Sequence, residues 1–364
     1  MVAILSSQKD VILSAVRAMY TAVARDPSAG FHFPVGRDAT RLVGYPEARV
    51  VDLPSAVVES FAGVGDPFSA NVIDPGDVVL DIGSGSGTDV FISRRLVGEG
   101  GRVIALDTTP AMLAKLERNL AAAALSGVQC LEGNAEAIPL PDASVNIITS
   151  NGVLNLVPDK PAVMREIFRV LKPGGCLQIA DIALENPIGD ACRANPQLWA
   201  ECVVGAVVES QYLAMLEAAG FEQIEVIGHL DYFAASPSAE TRTVARTFGA
   251  RALVLRAAKA PSGVSRPASA WPSESARVAQ AAVGGPDAPV ADAVLDAYGQ
   301  SCGALEPMMK THLRGLESGQ VLEVRSDEPA ARLGVPAWSR LSGHALVGVV
   351  EDDERKTRFY LRRK

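Results

Sequence analysis

Histidine and cysteine are scarce in this sequence, with four and five among 364 residues. The cysteines, Cys130, Cys176, Cys192, Cys202 and Cys302, are odd in number, scattered, and show none of the paired spacings of a metal site. That excludes a disulfide framework and a cysteine-built zinc site, and no metal centre is expected. Long apolar runs are also missing: although 48% of the residues are hydrophobic, charge or glycine breaks every run far short of the roughly 20 residues a bilayer needs. No membrane association is expected, and with no apolar leader and small-residue cleavage pattern at the start, the expected location is cytoplasmic. Positive charge is in deficit. Acidic and basic residues are equal in number from residue 260 onward, so the whole net charge of −8 lies in residues 1–259. Such a surface repels phosphate backbones, which argues against nucleic acid as a partner. No Ser-His-Asp set and no pair of general acids stands out, so the chemistry must be one that needs few catalytic groups.

What is present is the stretch Val78-Val79-Leu80-Asp81-Ile82-Gly83-Ser84-Gly85-Ser86-Gly87-Thr88-Asp89. A β-branched apolar run followed by glycines fits a buried parallel strand, a tight loop and a helix. A second apolar run, Val103 to Leu106, closes on Asp107, where a doubly wound sheet places a carboxylate for ribose hydroxyls. Together they predict a nucleoside-type cofactor site. A dinucleotide would set its pyrophosphate on the helix N-terminus, where a carboxylate at the mouth of the first strand is unwelcome. Asp81 occupies that mouth. Its charge suits a ligand with a cationic centre, such as S-adenosylmethionine (SAM), better than a dinucleotide.

In chain order, the spacing of Val11, Ile12, Val16, Met19, Tyr20 and Val23 predicts an amphipathic helix over 9–24. The irregular stretch Asp26 to Pro54 either covers the cofactor as a lid or packs on the sheet edge. A short helix at 56–60 leads into Phe61-Ala62-Gly63-Val64-Gly65-Asp66-Pro67, a turn expected close to the cofactor mouth. Thr109 is expected to cap a helix reaching about Ala124, and Val128 to Leu131 to form strand three, with Asn134 and Ala135 following in a loop that can reach an adenine ring. Strand four, Val145 to Ser150, runs into Asn151-Gly152-Val153-Leu154-Asn155-Leu156, which should line the reaction chamber. A helix over 160–171, a turn at Lys172–Gly175, strand five at 176–180 closing on Asp181, helices at 199–208 and 212–219, and strands at 224–227 and 252–256 complete an α/β doubly wound sheet.

Residues 1–259 resemble a class I SAM-dependent methyltransferase, and within that class the arsenite methyltransferase group. The resemblance rests on Leu80 to Gly87, on Ser150-Asn151-Gly152-Val153-Leu154-Asn155-Leu156-Val157-Pro158-Asp159-Lys160, on Arg169-Val170-Leu171-Lys172-Pro173-Gly174-Gly175 and on Trp199-Ala200-Glu201-Cys202. It implies SAM contacts from Asp81, Gly83, Ser84, Gly85, Asp107, Thr108, Met112, Asn134, Ala135, Ser150 and Leu156, with Asn151 and Cys202 acting on the acceptor. The group holds trivalent arsenic on three cysteines. At two of those places this sequence has Val64 and Gly152, and only Cys202 remains.

Residues 260–290, with five prolines among Ser, Gly and Ala, have the composition of a linker. Residues 291–364 follow as a small two-layer α/β sandwich with helices at 306–316 and 330–342 and strands at 320–326, 345–350 and 358–361. This tail resembles the TusA-like sulfur-carrier family through Asp296 to Cys302, Pro307-Met308-Met309-Lys310, Gly319 to Val324 and Ser326 to Pro329. The resemblance makes Cys302 the sulfur-carrying thiol, although Gly303 stands where the family has proline, and it implies a sulfur-transfer protein as partner or a docking role. The expected activity is methyl transfer from SAM to a small-molecule acceptor, the sulfur of sulfide, methanethiol or another small thiol. The alternatives are arsenite with Cys202 as ligand, or a sulfur-relay or SAM-binding module without turnover.

Overall fold

The computed structural model describes residues 6–188, 204–261, 289–300, 302–328, 331–342, 344–351 and 356–364. The chain divides into two units, residues 1–268 and 269–364.

In the first unit, five strands run parallel: β1 (Val78–Ile82), β2 (Arg102–Asp107), β3 (Val128–Glu132), β4 (Val145–Asn151) and β5 (Leu171–Leu184). A two-residue strand β6 (Val207–Val208) joins the far end of β5, and β7 (Phe221–Leu230) and β8 (Arg251–Lys259) complete the order β3-β2-β1-β4-β5-β8-β7, with β8 antiparallel to both neighbours. The strands nearest the centre read as unbroken apolar runs because helices cover both faces. Leu80, Ile104, Ile148, Leu177 and Ile179 are at most 2% exposed and belong to one core with Val163, Met164 and Ile167. Burying each such side chain stabilises the fold by roughly 1.5–3 kcal/mol. Strand order reverses between β1 and β4, the crevice where ligands bind in open α/β sheets.

The helices are α1 (Ser6–Arg25), α2 (Arg37–Leu42), α3 (Glu47–Val50), α4 (Ser55–Val58), α5 (Thr88–Val97), α6 (Pro110–Ala122), α7 (Lys160–Val170), α8 (Glu209–Ala219) and α9 (Ala239–Phe248). The stretch 26–54 is therefore less irregular than its sequence suggests. Its two short helices are tied by the Arg37 guanidinium, which donates to the carbonyls of Val50 (3.1 Å) and Leu53 (3.3 Å). At the start of α6, Thr109 does not cap with its side chain; instead its N–H donates to Asp107 Oδ1 at 2.8 Å. Lys172–Gly175 is no simple turn, since β5 already pairs Leu171 with Val145, breaks register, and resumes at Cys176 opposite Ile147, with Gly174 at φ +80°. Strand five also runs past Asp181, which lies fully buried inside it and accepts from the Tyr212 hydroxyl (3.0 Å) and the N–H of Ile182 (2.9 Å) and Asn155 (3.2 Å). Of the helix expected over 199–208, residues 199–203 lie outside the described residues and Val207–Val208 is strand. Helix α9 was not expected; Ser238 caps it by accepting from Thr241 N–H at 3.1 Å. Among the described residues no helix is long and apolar enough to cross a membrane.

The second unit is a four-stranded sheet, ordered β11-β12-β10-β9, with two helices. In chain order it comprises β9 (Ala293–Asp296), α10 (Cys302–Arg314), β10 (Val321–Ser326), α11 (Ala331–Ser342), β11 (Ala345–Glu351) and β12 (Thr357–Arg362). Leu322, Val324, Phe359 and Leu361 alternate onto the face that packs with Leu305, Met309 and Leu313 of α10. Strand β9, parallel to β10, is the element the sequence pattern did not indicate. Cys302 opens α10, and the linker residues 262–288 lie outside the described residues.

Candidate active site

The loop after β1 can exist only because glycines supply left-handed backbone. Gly83 (φ +76°), Gly85 (+52°) and Gly87 (+108°) turn the chain from strand to α5 in five residues. Gly83 and Ser84 both donate to Leu106 O, at 2.7 and 3.1 Å, which fixes the loop against the end of β2. Asn119 of α6 adds a bond from its amide to Ser86 O at 2.9 Å.

The loop forms one wall of a cavity that opens to solvent. Asp81, Gly83, Ser84, Gly85, Asp107 and Thr108 line it from β1 and β2. Met112, Asn134 and Ala135 line it from the next two crossovers, and Leu156 from the segment after β4. Ser150, expected among these, does not reach the cavity: it is fully buried and its hydroxyl donates to Ile82 O at 3.1 Å, so it ties β4 to β1. Cys202 lies outside the described residues. Asn151 lines the cavity with its amide engaged at both atoms. Its Oδ1 accepts from Val64 N–H (2.8 Å) and Gly65 N–H (3.3 Å), and its Nδ2 has Gly65 O (2.9 Å), Tyr45 Oη (3.0 Å) and Asp89 Oδ2 (3.1 Å) within reach.

Several lining residues escaped the sequence reading. Leu13, Val16 and Tyr20 of α1 face the cavity, and Arg17 of the same helix donates to Thr108 Oγ1 through two nitrogens, at 3.0 and 2.8 Å. The apolar stripe of α1 was legible, but a stripe does not say whether it covers a sheet or a cavity. Asp89, in the first turn of α5, closes the stretch that begins at Val78 and has no role legible in the sequence; it lines the cavity and accepts from the Tyr45 hydroxyl at 2.7 Å.

Three buried carboxylates meet here, and their electrostatics select the ligand. Burial first, then the charges of Asp89 and Asp107, hold the Asp81 carboxyl well above the ordinary carboxylate range. Its Oδ2 is buried without a hydrogen-bond partner. Asp107 is raised by burial and partly restrained by the N–H groups of Gly85 (2.9 Å to Oδ2) and Thr109. Asp89 is pushed up to about 6 by burial, with the Tyr45 hydroxyl and the Asn151 amide pulling the other way. A phosphate at the N-terminus of α5 would face all three. A cation that donates hydrogen bonds relieves them, and the unpartnered Asp81 oxygen is placed for one. The amino group and sulfonium of SAM fit this donor set, with Asp81 for the amino end and Asp107 for the ribose hydroxyls.

Comparison with known proteins agrees with that reading. Residues 73–220 match the family model described as "Methyltransferase domain", and residues 293–363 the one described as "Sulfurtransferase TusA". The chain is 39% identical over 164 residues to the arsenite methyltransferase of Halobacterium salinarum, covering 45% of this chain and 42% of that protein. It is 34% identical over 152 residues to the human arsenite methyltransferase, covering 39% and 40%. It is 31% identical over 180 residues to the ubiquinone/menaquinone biosynthesis C-methyltransferase UbiE of Xanthomonas oryzae pv. oryzae, covering 44% and 68%. Among solved structures, the arsenic(III) SAM methyltransferase of Chlamydomonas reinhardtii aligns at 30% identity and a TM-score of 0.49, over 60% of this chain and 75% of that one. The chain spans about two fifths of the length of the arsenite methyltransferases it matches. Loop, carboxylates, sheet order, the two family matches and the similarity to the UbiE methyltransferase lead to one conclusion: the chain belongs to the SAM-dependent methyltransferases and carries a TusA-like domain at its C-terminal end.

Proposed function

We propose that the chain transfers the methyl group of SAM to a small soft nucleophile, with trivalent arsenic as the first candidate. The observation that carries this reading is the state of the polar groups around the cavity. Asp89 and Asp107 already accept hydrogen bonds on both oxygens, Asn151 is engaged at both amide atoms, and Asp81, whose buried Oδ2 has no partner, is placed for the cofactor. The lining also includes the apolar side chains of Phe61, Val153 and Val157. The described lining holds no histidine, lysine or cysteine to serve as a general base, and its carboxylates are engaged by the polypeptide or placed for the cofactor. An acceptor that arrives with an available lone pair, as arsenic(III) or a thiolate does, needs only positioning and removal of water.

SAM supplies an electrophilic methyl group on a sulfonium. Asp81 and Asp107 would hold its two ends, the glycine loop would let the backbone approach it, and Leu13, Val16 and Tyr20 of α1 would keep water from the cavity. Arsenic ranks first because arsenite methyltransferases are the relatives at 34–39% identity cited above, with Cys202 as the soft ligand of this chain. A second reading, methylation of sulfide or a small thiol, is favoured by Val64 and Gly152 at the two other places the resemblance gives to cysteine, and by the TusA-like domain, whose Cys302 and sulfur-transfer partner would then belong to the same chemistry. A reducing, cytoplasmic setting keeps either acceptor and these thiols in reactive form.

The test is formation of S-adenosylhomocysteine and methylated product by the full chain, followed by mass spectrometry, with arsenite plus a reducing thiol, with sulfide, with methanethiol and with no acceptor. The expected result is arsenite-dependent turnover that falls at least tenfold in Cys202→Ala. Turnover with thiols alone, unchanged in Cys202→Ala, would replace arsenic by sulfur.

A further inference from the structure

We propose that Asn151, Asp89 and Tyr45 form a positioning clamp that holds the turn Gly63-Val64-Gly65 in register with the cofactor loop, setting the acceptor side of the cavity without touching the reacting atoms. The inference rests on the methyltransferase reading for its effect on turnover, and on hydrogen bonds alone for its effect on the turn.

Three segments far apart in sequence meet in the clamp. Asn151 ends β4, Asp89 lies in the first turn of α5 directly after the glycine loop, and Tyr45 stands between α2 and α3. The Tyr45 hydroxyl donates to one Asp89 oxygen at 2.7 Å and the Asn151 amide reaches the other at 3.1 Å. With its NH₂ so oriented, Asn151 presents Oδ1 to the N–H of Val64 and Gly65 and Nδ2 to the Gly65 carbonyl. Side-chain amides flip freely when their surroundings are symmetric; here the acidic oxygen on one side and the two N–H donors on the other fix a single orientation.

The glycines of the turn follow from close packing, against the clamp at Gly63 and against β5 at Gly65. A Cβ at Gly63 would lie 2.5 Å from Asn151 Nδ2 and from the Phe61 ring, and one at Gly65 would lie 2.8 Å from Ala180 Cβ on β5. Neither position has a positive φ, so glycine is required there by close approach and not by backbone conformation. Gly63 lines the cavity, and so do Asn151 and Asp89, which makes the clamp the direct link between the loop that receives the cofactor and the turn on its other side.

Charge completes the device. Asp89 faces the Tyr45 hydroxyl, the Asn151 amide, the Asp66 carboxylate, the Arg49 guanidinium of α3 and the Asp81 carboxylate of β1. As a carboxylate it accepts from both clamp partners. Once protonated it donates through one oxygen, so the observed arrangement changes: either the Tyr45 hydroxyl reverses to accept, or the Asn151 amide loses its acceptor. The clamp is therefore intact above a pH of about 6 and loosened below it.

The experiment compares the full-length wild type with Tyr45→Phe, Asp89→Asn and Asn151→Ala in three readouts: hydrogen exchange at residues 61–66, S-adenosylhomocysteine affinity by calorimetry, and the pH profile of kcat with whichever acceptor is turned over. Tyr45→Phe keeps the ring against Phe61 and Phe68 and removes only the hydroxyl. The expected result is at least tenfold faster exchange at Val64 and Gly65 in Asn151→Ala, a kcat reduced tenfold or more in Tyr45→Phe with affinity changed less than threefold, and loss in Asp89→Asn of the acid limb near pH 6. Unchanged exchange at Val64 and Gly65 in folded Asn151→Ala overturns the clamp. If the wild type turns over no acceptor, the functional reading fails while the exchange measurement still decides the clamp.

Discussion

Alanine at position 83 would separate the two reasons that glycine stands there. Gly83 has φ +76°, and an L side chain in that region costs about 1–2 kcal/mol. Its added Cβ would also collide with Cγ2 of Val153, with Cγ1 at 3.0 Å and Cβ at 3.1 Å, on a residue packed against the sheet core. Forcing a methyl group into such a place costs a further ~1–3 kcal/mol. Gly83→Ala should therefore lower the stability of the methyltransferase unit by about 2–5 kcal/mol. Guanidinium unfolding read by far-UV ellipticity would measure the loss, and a titration with S-adenosylhomocysteine would show weakened binding, because Gly83 donates to Leu106 O at 2.7 Å and any shift moves the cofactor loop. Val153→Ala removes both methyl groups in the way. In the double variant the collision with the two methyl groups is gone, the 3.1 Å contact with the Val153 Cβ and the backbone strain stay, and a double-mutant cycle should return a favourable coupling of about 1–3 kcal/mol. A coupling within about 0.5 kcal/mol of zero would refute the steric half of the reasoning, and a Gly83→Ala protein as stable as wild type would refute both halves.

Asp81→Asn should weaken binding of SAM about tenfold to a hundredfold, the worth of one hydrogen bond to a charged group, while leaving the ligand-free protein as stable or more so, because it removes a buried unpartnered carboxylate oxygen; calorimetry and thermal unfolding check the two signs separately, and an unchanged affinity would remove Asp81 from the cofactor site. Asp181 is pushed up to about 6 by burial against the N–H of Ile182 and the Tyr212 hydroxyl, so its folded value exceeds its unfolded one. The stability it contributes is then fully present below pH 4 and lost as the pH rises to about 6, a change of roughly 3 kcal/mol. Unfolding free energies at pH 4 and 7 should fall less in Asp181→Asn than in wild type, and parallel slopes would contradict this. Arg49 and Asp66 form a buried ion pair, so Arg49→Met should cost about 3–5 kcal/mol by leaving Asp66 uncompensated, and Arg49→Met with Asp66→Asn markedly less; denaturant midpoints of the two variants decide it.

The parts legible in the sequence were those where one local rule dominates. The glycine loop, the two strand-end acids and the parallel strands announced themselves because a buried strand is apolar on both faces and a left-handed turn demands glycine. Short or edge elements did not: β6 has two residues and β9 four, too few for a period, and α2 and α3 are held by Arg37 reaching the carbonyls of Val50 and Leu53, a tertiary bond with no local pattern. The same division runs through the site. Asp81 and Asp107 are found from their places at strand ends. Asp89 and Tyr45 are not, since their roles exist only once Asn151, 62 and 106 residues away, is brought beside them. The Ser150 side chain lies off the cavity for a related reason. Residues alternate along a strand, and the register that turns Asn151 toward the cavity turns Ser150 back onto Ile82.

The acceptor side follows from how positions 64 and 152 meet. A Cβ on Gly152, whose φ is +71°, would lie 3.1 Å from Cγ1 of Val64, so the two places the resemblance gives to cysteine are direct neighbours in the fold. In this chain they form one packed apolar contact, with the valine filling the space that a second side chain would need. Both substitutions act together: a cysteine at 152 alone would press on Val64, and one at 64 alone would face a glycine with no sulfur to share a metalloid. The pair therefore removes two of three soft ligands while keeping the turn that carried them, held by Asn151 at Val64 N–H and Gly65 N–H. Under the proposed function, the chamber would take a small acceptor without the chelate that would tighten it. An arsenic acceptor in such a site must bring its other two ligands with it, as thiols bound before it enters, whereas a thiolate acceptor needs none.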